Sequence, residues 1–171
     1  MARPLLVLVS GHPGSGKTTL GRALGDAMVL PHLNRDAMRA GLTFTEPSTP
    51  PDPELVWRTY LDTIERWLVN GISLVTDQTL YIGMTDELRS RLPPLGDVVN
   101  IHCRCPHAYE RWVAKTNMYP QFSEVDARVR AQRDEFTDPL PLGVPVIEVE
   151  TSDGYDPPLD ELARLIADSR S

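Results

Sequence analysis

Cysteines, long apolar runs and positive charge are all scarce in this chain. The two cysteines, Cys103 and Cys105, are one residue apart. On a strand they would share a face. Zinc pairs usually leave two to four residues between their cysteines, so even with His102 and His107 nearby the pair reads as free thiols of a cytosolic protein. The longest apolar run is the five-residue Leu5-Leu6-Val7-Leu8-Val9, far short of a membrane span. Met1-Ala2-Arg3-Pro4 leads straight into that run and leaves no room for a signal peptide, so the expected place is the cytoplasm. Seventeen Lys and Arg stand against 24 Asp and Glu, a net charge of −7 and a pI near 5.0. That disfavours long nucleic acid as the main ligand, because a phosphate backbone needs a basic face. It leaves room for a nucleotide or a local basic groove. No internal repeat or low-complexity tract occurs. A chain of 171 residues with 41% hydrophobic content suits one domain, residues 1–171, with a proper core.

What is present begins with Gly11-His12-Pro13-Gly14-Ser15-Gly16-Lys17-Thr18. This is the G-x-x-x-x-G-K-[ST] phosphate-binding pattern, with an apolar strand before it and a helix-compatible stretch after it. Its glycines let successive backbone N–H groups face one anion, and the helix N-terminus adds partial positive charge. Lys17 can reach the β- and γ-phosphates, and the Thr18 hydroxyl can ligate Mg²⁺. A nucleoside triphosphate is the implied ligand.

Strands and helices alternate throughout, which predicts an α/β fold on a parallel sheet. Strands are expected at Leu5–Ser10, His32–Asn34, Ile72–Thr76, Val98–Arg104 and Val144–Val149. A helix should run from Gly16 to Met28 and a short helical turn over Ala37–Gly41. Residues 42–53, with four prolines, read as a loop, either functional or a plain linker. Pro53 opens a helix ended by Gly71. Its Trp57, Tyr60, Leu61, Ile64, Trp67 and Leu68 recur at helical spacing and read as core packing, although the aromatics could also stack on a ring. Further helices are expected over Met84–Leu92, Pro106–Asn117 and Leu159–Ala167. Pro120 separates the second of these from a basic helix opening at Ser123 and carrying Arg128, Arg130 and Arg133.

A set of carboxylates and cations carries the chemistry. Asp77 ends a strand and suits the water shell of Mg²⁺, or else a loop or cap. Asp36 ends another strand, at the sheet edge where α/β proteins bind ligands. It can take a hydroxyl proton, or cap the turn at Ala37. Arg39 can hold an anionic or polar substrate group, or stay a surface charge. Arg111 and Lys115 share a helix face, and the helix–break–basic-helix segment, about 111–133, is a plausible lid supplying cations to the transferring phosphoryl group.

The phosphate loop, Asn34-Arg35-Asp36-Ala37-Met38-Arg39, Val75-Thr76-Asp77-Gln78-Thr79 and the basic lid together resemble the P-loop kinases that include 5′-polynucleotide kinases, with chloramphenicol phosphotransferase and zeta-toxin-type kinases as related forms. Phe136-Thr137-Asp138-Pro139 and Val146–Gly154 fit the same group, whose loop after the last strand lies near adenine. The resemblance covers most of residues 5–155 and implies an adenylate-kinase-like five-stranded parallel sheet between helices, in the order 2-3-1-4-5. By it, Asp36 is the general base and Arg39 contacts substrate. Gly11, Gly14, Ser15, Gly16, Lys17, Thr18, Thr19 and Arg133 bind ATP, and Thr18 with Asp77 holds Mg²⁺. Arg111 or Lys115, the latter where an arginine is more usual, acts with an arginine from 128–133 on the transition state. The expected activity is transfer of the γ-phosphoryl group of ATP to a hydroxyl of a small molecule such as a nucleoside, sugar or antibiotic. A polynucleotide 5′-kinase and a nucleotide-dependent regulatory ATPase are the alternatives. Oligomeric state is not legible.

Overall fold

A computed structural model of the chain describes residues 2–45, 51–118, 129, 131 and 133–170. Five strands form one parallel sheet: β1 (Leu5–Gly11), β2 (His32–Asn34), β3 (Leu74–Asp77), β4 (Asp97–Arg104) and β5 (Val146–Glu150). Their order is β2-β3-β1-β4-β5, as the resemblance implies. The helices are α1 (Lys17–Met28), α2 (Arg35–Thr45), α3 (Pro53–Val69), α4 (Thr85–Arg91), α5 (Ala108–Met118) and α6 (Leu159–Asp168).

Every residue of β1 is buried, as expected of a central parallel strand covered on both faces. Alternation divides its side chains between two cores. Leu6 and Leu8 meet Tyr60, Leu61, Ile64 and Leu68 of α3. Leu5, Val7 and Val9 meet Leu20 and Leu24 of α1 and Leu162 and Ile166 of α6. The periodic aromatics of α3 are core groups: Tyr60 is 1% exposed and its hydroxyl bonds Thr76 of β3. Cys103 is buried in the second core, and both thiols are free. Ser10, Asn100 and His102 form a buried polar chain between β1 and β4 that reaches the Thr137 carbonyl at 3.1 Å.

Several boundaries differ from the sequence reading, and three of the elements concerned have a physical reason. α2 runs from Arg35 to Thr45 rather than over Ala37–Gly41. No proline interrupts it before residue 47, and the Thr43 and Thr45 hydroxyls each donate to the carbonyl four residues back at 3.1 Å. The expected loop therefore starts no earlier than residue 46, and residues 46–50 lie outside the described residues. β3 begins at Leu74, because Ile72 is still 43% exposed on the turn from α3. β5 begins at Val146, just after Pro145, whose ring nitrogen cannot donate to a ladder.

Candidate active site

The phosphate loop joins β1 to α1. Gly14 and Gly16 both hold φ of +86°, a region costly for residues with a Cβ. At Gly14 space adds a second demand, since a Cβ there would lie 2.1 Å from the Ala108 carbonyl oxygen of α5. Gly16 caps α1 without a side-chain bond, and no acidic residue occupies the first turn. The first-turn N–H groups of α1 have no intrahelical acceptor, so they point donors at the loop with no carboxylate competing for them. Ser15 is fully buried beneath, its carbonyl accepting from the Thr151 hydroxyl at 2.6 Å. Lys17 is 8% exposed and donates to the His12 carbonyl at 2.8 Å. Burial pulls its pKa down to about 8 against the attraction of Cys103, Asp77 and Asp36.

Asp77, the last residue of β3, lies opposite Val9 on one side and Asn34 on the other. Its carboxylate accepts from Thr18 Oγ1 at 2.7 Å and Asn34 Nδ2 at 2.9 Å, and meets His32 Nε2 at 2.6 Å. Burial opposes its charge, but the bonds from His32, Asn34 and Thr18 outweigh that and hold the carboxyl below its ordinary range.

A cleft of about 290 Å³ brings most of the predicted residues together. Gly14, Gly16, Lys17, Thr18 and Thr19 form its floor, Asp36 and Asp77 one wall, and Arg111 and Lys115 the other. Gly11, Ser15 and Arg39 do not line it. The backbone donors, the buried Lys17 ammonium and the adjacent Thr18 hydroxyl and Asp77 carboxylate form a donor set that fits a triphosphate with Mg²⁺.

Residues 6–139 match the family model for an AAA domain, AAA_33. The chain belongs to this family of P-loop kinase domains. No curated protein matches the sequence significantly. Among solved structures, a provisionally assigned kinase from Chloroflexus aurantiacus is 25% identical with a TM-score of 0.75, covering 98% of this chain and 96% of that one. A gluconokinase from Sinorhizobium meliloti is 23% identical, with a TM-score of 0.58 and coverage of 99% and 93%. A shikimate kinase from Acinetobacter baumannii in complex with shikimate is 21% identical, with a TM-score of 0.52 and coverage of 96% and 91%. The last two share the fold.

Within this P-loop kinase domain, the cap of α2 is not Asp36. Asn34 Oδ1 accepts from the Ala37 amide at 2.6 Å while its amide nitrogen holds Asp77. Asp36 sits in the first turn, exposed at the cleft, and among the described residues no hydrogen bond or ion pair engages its carboxylate. Arg39 is half-buried on the same helix. Arg111 donates to the carbonyls of Thr151, at 3.4 Å, and Ser152, at 2.6 Å, tying α5 to the loop after β5. Arg128 and Arg130 lie outside the described residues, as does the side chain of Arg133. The segment expected to form a lid, about 111–133, is therefore described only through α5, Val129, Ala131 and the backbone of the 3-10 turn starting at Arg133.

Sequence reasoning missed His32 and the double role of Asn34. Their signal was faint: Gly21 and Gly25, one turn apart on α1. A Cβ on Gly21 would meet His32 Nε2 at 2.9 Å, and one on Gly25 would meet His32 Cβ at 3.3 Å. The two glycines let β2 approach α1 closely enough for His32 to reach Asp77.

Proposed function

We propose that this protein is an ATP-dependent kinase that phosphorylates a hydroxyl of a small-molecule acceptor. The observation that carries the reading is Asp36: a carboxylate without a partner among the described residues, at the mouth of the cleft that Lys17, Thr18 and Asp77 line. A regulatory ATPase has no use for a base on the acceptor side. When bound, ATP with Mg²⁺ supplies the activated phosphoryl group and shields its charge. Lys17 and the first-turn amides cradle the phosphates, and Thr18 with Asp77 orients the ion's shell. Asp36 accepts the acceptor's hydroxyl proton and aims its oxygen along the cleft. Arg39 holds the acceptor. Arg111 or Lys115, with an arginine from 128–133, offsets the charge that builds on the transferring oxygens. The gluconokinase and shikimate kinase that share this fold act on small hydroxyl compounds, and the chain's net charge of −7 disfavours a polynucleotide channel. One kinase domain spanning the chain, working in the cytoplasm where ATP is made available, fits this reading. No helix among the described residues is long and apolar enough to cross a membrane.

The test is to incubate the protein with Mg-ATP and a panel of nucleosides, sugars, antibiotics and a 5′-hydroxyl oligonucleotide, reading phosphoryl mass gains. Asp36→Asn runs in parallel. A gain on a small acceptor, cut ~10²-fold by Asp36→Asn at unchanged ATP affinity, is expected. A gain on the oligonucleotide alone supports a polynucleotide kinase. ADP formed equally by both proteins, without any acceptor product, supports a regulatory ATPase.

A further inference from the structure

The arginines of this chain differ in how their charge is met. Among the described residues, three arginine side chains are half-buried rather than exposed: Arg35, Arg39 and Arg91. Arg91 is held by three carboxylates, Asp62 at 3.0 Å, Glu65 at 2.6 Å and Glu87 at 2.8 Å. Among the described residues no carboxylate is in ion-pair contact with Arg35 or Arg39, and neither side chain donates a hydrogen bond. The chain is not short of acids to pair them with, since acids outnumber bases 24 to 17. A charge taken partly out of water without a partner is unfavourable. Burial depresses the Arg35 pKa despite Asp36, Tyr60 and Tyr81 nearby.

Geometry adds direction. Arg35 and Arg39 are four residues apart, so they share one face of α2, about 6 Å apart along the axis. The Arg35 guanidinium lies over the Trp57 ring, 5.8 Å from its centroid. Stacking occupies a face of a guanidinium and leaves its N–H edge to an acceptor. Trp57 itself is fixed, 8% exposed and donating to Glu87 at 2.9 Å. Asp36 stands between the two arginines in sequence and lines the cleft.

We propose that the phosphoryl acceptor is an anion, a small hydroxy-carboxylate or phosphate monoester, whose charged group is bound by Arg35 and Arg39 while its hydroxyl meets Asp36. The inference rests on the kinase reading above and narrows its substrate class. Two guanidinium forks one turn apart match the paired oxygens of such a group. Arg35, which the sequence reading passed over, becomes a specificity-determining residue. A neutral sugar or nucleoside leaves both cations unmet and binds more weakly.

The test uses matched pairs of hydroxyl compounds with Mg-ATP: sugar acids against parent sugars, hydroxy acids against their amides, nucleoside 3′-monophosphates against nucleosides. Wild type, Arg35→Gln, Arg39→Gln and Arg35→Lys are compared by kcat and KM. We expect wild type to prefer the charged member by about 10- to 100-fold in kcat/KM, mainly through KM. Both Gln variants should lose most of that preference while the KM for ATP stays put, and Arg35→Lys should restore part of it. The carboxylate and phosphate pairs separate the two sources of charge. Neutral members phosphorylated as well as charged ones would overturn the inference and leave the kinase reading standing. If no compound is phosphorylated, sulfate titration of the ADP-saturated protein decides, with chloride at matched ionic strength as control. A saturable Tm rise in wild type that both Gln variants lack upholds the anion site while removing support from the kinase reading. Equal shifts in all three overturn it, because any sulfate at the phosphate loop contributes to each alike.

Discussion

On the nucleotide side of the cleft, the Asp77 carboxylate is met by three side chains and Lys17 is buried against a backbone carbonyl. On the acceptor side, α2 buries none of its residues, Asp36 is exposed at the cleft, and Arg35 and Arg39, on the same helix but outside the cleft lining, stand without counter-ions among the described residues. The first wall is satisfied by the protein's own groups and is preorganised. The second keeps its charges open, and an incoming molecule completes them. Preorganisation suits a ligand that every member of a phosphate-loop fold must bind. An unsatisfied wall suits selection, because an acceptor of the wrong chemistry leaves polar groups unmet.

The largest break in this comparison comes from Lys17→Ala. Transfer should fall by at least ~10³-fold, since the one buried cation of the described phosphate loop is lost. Near-normal turnover would place the chemistry elsewhere. A paired substitution sharpens the contrast between the walls. Asp77→Ala orphans the donors of Thr18, His32 and Asn34 and should cost about 1–3 kcal/mol. Asp36→Ala orphans no donor among the described residues and should leave the unfolding free energy from urea titration within about 0.5 kcal/mol of wild type. Equal losses would mean that Asp36 is a structural residue.

Both walls were unequally legible in the sequence. The phosphate loop, Asp77 and the parallel sheet were readable because each rests on local pattern: a glycine spacing, an acid ending an apolar run, alternation of strand and helix. The strand order came from the resemblance to P-loop kinases. The acceptor wall rests on relations between distant residues. Asn34 takes the capping role that Asp36 seemed equally suited for, and only the path of β2 beside β3 shows that one amide can serve both Ala37 and Asp77. His32 acts through the close approach that Gly21 and Gly25 permit. Arg35 draws its meaning from Trp57, twenty-two positions on, and from the lack of an ion-paired carboxylate among the described residues.

The nucleotide wall also carries a pH signature. Lys17 has its pKa lowered to about 8 by burial, and the negative charge of bound triphosphate must raise it. Below pH 8 the ammonium is already formed and ATP affinity is at its full value. As pH rises past 8, binding has to take up a proton, and Kd should weaken by up to about tenfold per pH unit. Calorimetry at pH 7, 8 and 9 in buffers of different ionisation enthalpy would show it, with Lys17→Arg losing the dependence. A flat Kd to pH 9 would mean that Lys17 stays charged in the free protein.

The smallest expected effect bears most directly on the open wall. Replacing an arginine by methionine keeps a long apolar stem and removes the charge. At Arg91 this discards contacts to Asp62 and Glu65 that join α4 to α3 and one to Glu87 within α4, so Tm should fall by about 2–4 °C, or ~1 kcal/mol. At Arg35 the charge has no ion-paired carboxylate among the described residues, only the nearby charge of Asp36. Its contact with Trp57 is worth only ~0.5–1 kcal/mol at a partly exposed site, and the methionine can pack on the same ring. Removing a partly desolvated charge gains at least as much. Arg35→Met should therefore hold Tm level or raise it by ~1–3 °C, measured by calorimetry without ligand. A fall at Arg35 matching that at Arg91 would show that the acceptor wall is held together by its cations, and the distinction between the two sides of the cleft would not survive.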